Sequence, residues 1–292
     1  MDIAFHIGAN CTDEDRLLRS VTKNLPNLAG RGTRVPNPAR YRRLLRETIQ
    51  HLRGGSPEPD TRDVLIDAIL DHGETTERLV LGNPAFICTP ARICEAGCFH
   101  ELAGFKARSL AALFPEDRIE MFLGIRNPAS FLPTCWEQAR GRGFDEFMAG
   151  LDPRTILWSD VVLRLRQAAP EARLTVWCDE DSALIWPELV RALAGLDDDA
   201  PVEGGLDLVD EIMRPEGAAR LRDYLASHPP ANAAQQRRVV SAFLDKYARA
   251  EAVETEIDLP GWDTALLADL TAIYEADLQR IAAMEGVRFL AA

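Results

Sequence analysis

The chain opens on Asp2-Ile-Ala-Phe-His-Ile-Gly8, a short apolar run that stops at a glycine. That pattern predicts a buried β-strand. Ala9-Asn-Cys-Thr12 follows, then Asp13-Glu-Asp-Arg-Leu-Leu-Arg-Ser-Val, with Leu17, Leu18 and Val21 at helical spacing. Thr12 followed by Asp15 has the form of a capping box, and acids fill the first turn, so a helix is expected from about residue 13. A strand, a tight loop and a helix in that order are the opening unit of an open α/β sheet. This unit constrains the fold more than any other feature of the sequence.

The remaining elements fit the same architecture. Further strands are predicted at Arg78–Leu81, Arg118–Ile125 and Arg173–Cys178. Helices are expected over 38–53, 60–72, 102–113, 129–140, 158–168 and 187–196, with a kink or restart at Pro133, which lacks an amide hydrogen. After residue 196 the alternation stops. An acidic, Gly-rich stretch covers 197–210, then helical patterns cover 215–227, 234–250 and 263–285, with a terminal strand pattern at Val287–Leu290. The expected fold class is α/β, a parallel open sheet with flanking helices and a C-terminal helical segment. We expect one domain over 1–292: an α/β core at 1–196 with a helical insertion at 37–72, and a helical tail at 211–292.

Composition narrows the function. The chain has 292 residues and a formal net charge of −13, from 46 acids against 33 bases. A broad basic face for nucleic acid is therefore not expected, because that binding rests on neutralising phosphates. Only Lys23, Lys106 and Lys246 are lysines, so an anion site would be built from arginine, backbone N–H groups or hydroxyls. No apolar stretch approaches the ~18 residues of a membrane span. The N-terminus lacks a basic n-region, and a cytoplasmic location is expected. The six cysteines lack the paired knuckles of a structural zinc site, so free thiols and no metal are expected.

In open parallel sheets ligands bind beyond the carboxyl ends of the strands. The loops at Gly8–Asp15, Gly82–Pro90 and Arg126–Thr134 qualify. HIGANCTDEDRLL resembles the N-terminal loop of sulfotransferases that use 3′-phosphoadenosine-5′-phosphosulfate (PAPS), in particular bacterial members. LGIRNPASFLPTCW resembles their second signature, an Arg-x-Pro at a strand end with a hydroxyl eight residues past the Arg. Segment 173–196 resembles their later strand–acid–helix unit. The resemblance covers about 2–196 and implies a P-loop sulfotransferase fold that moves a sulfuryl group from PAPS to a hydroxyl acceptor. It assigns the donor site to Gly8, Ala9, Asn10, Cys11 and Thr12, with Arg126 and Thr134 holding the 3′-phosphate.

The sequence departs from that pattern where the donor's charge should sit. Cys11 stands at the family's lysine, Asp13 at its glycine, and Glu14 and Asp15 at its hydroxyls. Two unit charges of like sign ~4 Å apart cost ~4 kcal/mol at an effective dielectric of 20. The family's Ser-x-Glu base is replaced by Gly82-Asn83-Pro84, which leaves His6, His100 or Glu101 as substitutes, with His6 nearest the first loop. Two readings stay open: a sulfotransferase-like enzyme, and a non-catalytic protein of that fold that binds another ligand or a protein partner. Of the five tryptophans, 136, 158, 177 and 186 fall in the α/β half; Trp177 reads as core, and the other three as core or as walls of an acceptor pocket.

Overall fold

Asp2–Gly8 forms β1, and its alternating side chains divide the molecule into two layers. The computed structural model describes residues 1–71, 75–253 and 259–292. The strands are β1, β2 (Thr33–Arg34), β3 (Arg78–Gly82), β4 (Arg118–Ile125), β5 (Arg173–Cys178) and β6 (Val287–Leu290). They make one open sheet in the order β2-β3-β1-β4-β5-β6, and every pairing is parallel. Ile3, Phe5 and Ile7 face the larger core layer, while Ala4 faces the smaller one with Leu17, Trp177 and Trp186.

Among the described residues fourteen α-helices surround or extend the sheet. They are α1 (Arg16–Thr22), α2 (Leu25–Gly30), α3 (Pro38–Leu52), α4 (Thr61–Ile69), α5 (Ala103–Ala112), α6 (Pro128–Ala139), α7 (Phe144–Met148), α8 (Trp158–Ala168), α9 (Ser182–Ala194), α10 (Asp207–Ile212), α11 (Pro215–Ser227), α12 (Ala233–Tyr247), α13 (Ala250–Val253) and α14 (Thr264–Ala282). None described is long and apolar enough to cross a membrane. The insertion is tied to the sheet by polar contacts: the Tyr41 hydroxyl donates to the Gly82 carbonyl (2.8 Å) and accepts from the Gly82 N–H (2.9 Å). The tail returns to the sheet, because β6 pairs with β5 at its edge.

Several expectations need correction. The first helix begins at Arg16 rather than at about 13, because Asp15 takes a left-handed conformation (φ 67°) that ends the loop there. The Thr12–Asp15 capping box does not form: Thr12 Oγ1 donates back to the Ala9 carbonyl (2.7 Å). A two-residue strand, β2, and helix α10 fall where no strand or helix was expected. Helix α9 begins at Ser182, five residues before Pro187, and runs through it. The end of the expected 60–72 helix, and residues 254–258 of the tail, lie outside the described residues.

Pro133 does not restart its helix; α6 is continuous through it. A proline removes the hydrogen bond that would reach the carbonyl four residues back, here Ala129. The Trp262 indole N–H donates to that carbonyl at 2.8 Å in a buried setting. Leaving a buried carbonyl unpaired costs ~1–3 kcal/mol. Trp262→Phe is therefore expected to lower stability by ~1–3 kcal/mol in urea unfolding. An unchanged midpoint would contradict this role for the indole.

Candidate functional site at the strand ends

The chain leaves β1 toward β3 on one side and reaches β4 on the other, so the order β3-β1-β4 makes a topological switch point beside β1. Crevices form at such points, beyond the carboxyl ends of the strands. A cleft of about 1250 Å³ lies there. Its floor comes from the loop after β1 and the segments after β4 and β5, and its roof from α10, α12, α13 and α14.

The loop is shaped by its backbone. Gly8 has φ +123°, and a Cβ there would meet the Pro84 carbonyl oxygen at 2.7 Å, so only glycine fits. Ala9 N–H donates to the Gly124 carbonyl (2.9 Å), and Asn10 Nδ2 donates to the Cys88 carbonyl (2.8 Å). Cys11, Glu14 and Asp15 all have positive φ. This winding brings the Asp13 carboxylate to the start of α1. Asp13 Oδ2 accepts from the Leu17 N–H (3.0 Å), and Oδ1 lies 3.3 Å from His6 Nε2. Both side chains are buried, and the His6 ring stacks on Trp177.

The other loop acids are also held internally. Asp15 forms a two-pronged pair with Arg42 at 2.6 and 2.9 Å, and Glu14 accepts from Gln138 Nε2 (2.7 Å). Arg16 pairs with Glu211 of α10 at 2.6 Å and so joins the loop to the tail.

Of the residues assigned by resemblance, Cys11, Thr12, Arg126 and Thr134 line the cleft together. Gly8, Ala9 and Asn10 are buried in the loop behind them. Arg126 Nη1 donates to the Cys11 carbonyl (2.9 Å) and Nε to Ser130 Oγ (3.0 Å). The Thr134 hydroxyl donates to the Ser130 carbonyl (2.8 Å). His6 lies behind the loop, fully buried. His100 is also fully buried, packed against Phe99, Phe131 and Trp158, and burial pulls its pKa down to about 3. Glu101 is exposed and is not among the cleft residues. Trp158, Trp177 and Trp186 are core residues.

All six cysteines are free, and the Cys11 and Cys135 sulfurs lie 3.1 Å apart. Among the described residues no group of three or more His, Cys, Asp or Glu is placed to hold a metal ion.

The sequence reading noted the acids beyond β5 only as part of a strand–acid–helix unit and did not assign them to the site, and it missed those on the tail. Asp179 and Glu180 line the cleft, as do Glu211 and Asp245. Glu180 Oε1 accepts from the Asn127 N–H (2.7 Å), and Tyr274 Oη lies 3.2 Å from Oε2. The strand-end position of Asp179-Glu180 was the available signal for the first pair; nothing local marked the second. Burial, then the Glu180 charge, pushes the Asp179 carboxyl up to about 7. Comparison with protein-family models gave no match, and comparison with curated proteins gave none either.

Two measurements check this geometry. Asp13→Ala removes the acceptor of the Leu17 N–H and the partner of His6, so a loss of ~1–3 kcal/mol is expected in urea unfolding. Asp13→Asn, which keeps an acceptor oxygen, should lose less than half as much. For Asp179 the folded state holds a proton that the unfolded chain releases near pH 4, so its contribution to stability falls as pH rises from about 4 to 7. The stability of Asp179→Asn relative to the native chain should therefore climb between pH 5 and 8. A flat difference would contradict the raised pKa.

Proposed function

We propose that this chain is a sulfotransferase-like protein that does not use PAPS, and that its strand-end cleft holds a small ligand that is neutral or positively charged. The observation that carries the proposal is the Asp13 carboxylate at the start of α1, on the Leu17 N–H. In a phosphate loop those backbone donors face the ligand's anion. Here the protein supplies the anion itself, buried beside His6. The charge of the cleft supports the same reading: among the described residues it is lined by three guanidiniums and six acidic side chains, one of which, Asp179, is held toward its protonated form. Arg126, the residue matching the family's phosphate-binding arginine, has hydrogen bonds to the loop carbonyl and to Ser130.

The second reading is sulfuryl transfer from PAPS to a hydroxyl. It is favoured by one fact, that Arg126 and Thr134 share a cleft with the loop after β1. In-line transfer would depend on positioning and on stabilising charge at the bridging oxygen. The lysine position that would meet this charge holds Cys11, whose sulfur faces Cys135.

Calorimetric titration with adenosine 3′,5′-bisphosphate, the desulfated donor, separates the two. No measurable heat of binding is expected at millimolar ligand, at low or moderate salt. Micromolar binding that Arg126→Ala abolishes would overturn the proposal and place sulfuryl transfer first.

A further inference from the structure

Helices α11 and α12 lie against each other in the tail, and α12 turns Ser241, Leu244 and Asp245 to the cleft. Their inner sides are packed: Ala218, Leu221 and Val240 are buried with Val209 and Met213. Their other sides form an open groove of about 500 Å³. On α11 it is lined by Arg220, Asp223, Tyr224 and Ser227, which repeat at the spacing of one helix face. On α12 it is lined chiefly by Phe243, Lys246 and Tyr247.

The groove has an aromatic floor. The Phe243 ring lies 5.8 Å from Tyr224 and 5.9 Å from Tyr247, and His228 stacks on Tyr224. Tyr224 is 41% exposed, one of few large apolar side chains so open on this protein. One end is cationic. Arg220 donates to the Tyr247 hydroxyl (2.7 Å), and the Lys246 ammonium lies 5.3 Å from the Tyr247 ring centre. Arg214 lies over the same ring at 5.8 Å, with Glu216 at 4.0 Å. Among the described residues neither Arg220 nor Lys246 has a carboxylate within salt-bridge distance.

We propose that this groove docks an acidic peptide segment of a partner protein, with an apolar or aromatic side chain seated between Tyr224 and Phe243 and carboxylates facing Arg220 and Lys246. Two parallel runs of side chains with a groove between them suit a peptide, which presents anchors at helical or extended spacing. The charge complementarity identifies an acidic partner and would set its on-rate and orientation. Nucleic acid fits poorly, because the groove offers only Arg220 and Lys246 as cations, and binding a phosphate backbone rests on neutralising many phosphates.

The test is selection from a phage-displayed library of random dodecapeptides on the immobilised full chain. A synthetic, fluorescein-tagged copy of the enriched peptide is then measured by anisotropy. The expected result is enrichment of peptides carrying two or more acids beside an aromatic or large aliphatic residue. Affinity should fall at least tenfold for the Arg220→Glu/Lys246→Glu double variant and for Tyr224→Ser. All three positions are exposed, so circular dichroism and thermal melting of these variants should match the native chain. Several outcomes would overturn the proposal. They are no enrichment, peptides lacking acids, binding that the variants leave intact, and equal binding of a single-stranded DNA of the same charge. A concentration-dependent dimer that the double variant abolishes would also overturn it, by assigning the groove to a second copy of this chain.

Discussion

The arrangement at the strand ends depends on one carboxylate. Asp13 accepts from the backbone of α1 with one oxygen and faces His6 with the other, and both side chains are almost fully buried. A carboxylate left alone in that setting would be costly, because burial penalises charge that has no partner. The helix start, with its donor N–H groups and positive dipole end, supplies part of the compensation. To bring Asp13 there, the loop winds Cys11, Glu14 and Asp15 through left-handed backbone conformations. Such conformations persist only when their surroundings over-determine them. Here Arg42, Gln138 and Arg126 hold the loop from the insertion, from α6 and from the end of β4.

The same economy of polar groups explains how the tail belongs to the α/β core. Trp262, just before α14, completes the hydrogen bonding of a proline-interrupted helix that forms one wall of the cleft. Asp277 of α14 accepts from the Ser159 N–H at the start of α8 (2.9 Å), and Tyr274 of α14 faces Glu180. Arg16 reaches Glu211 from the loop side. The roof of the cleft is thus fastened to its floor through side chains from the two ends of the chain. β6 closes the arrangement by adding the C-terminal residues to the sheet.

How legible all this is in the sequence follows from the range of each signal. All strands but the two-residue β2, and the parallel α/β arrangement, are readable because apolar runs and strand–loop–helix order are local. The strand-end loops follow from the architecture, and Arg126, Thr134 and Cys11 do converge on one cleft. The capping of α1 was misread, because Thr12 and Asp15 match a local pattern while Asp13 wins through a contact to His6, seven residues away on the preceding strand. The continuity of α6 through Pro133 is illegible locally, since its compensating donor lies 129 residues farther on at Trp262. The acids at Glu211 and Asp245 sit on helices whose amphipathic pattern says nothing about which neighbour they face.

On the function proposed above, the cleft disfavours polyanions twice, once through the occupied helix start and once through the excess of acidic side chains. The first of these effects can be observed directly. A crystal structure of the native chain grown from concentrated ammonium sulfate exposes the loop to an anion of the right size. The account predicts Asp13 on the Leu17 N–H, with no sulfate on the backbone donors of the loop. A sulfate seated on those donors, with Asp13 turned away into solvent, would contradict it.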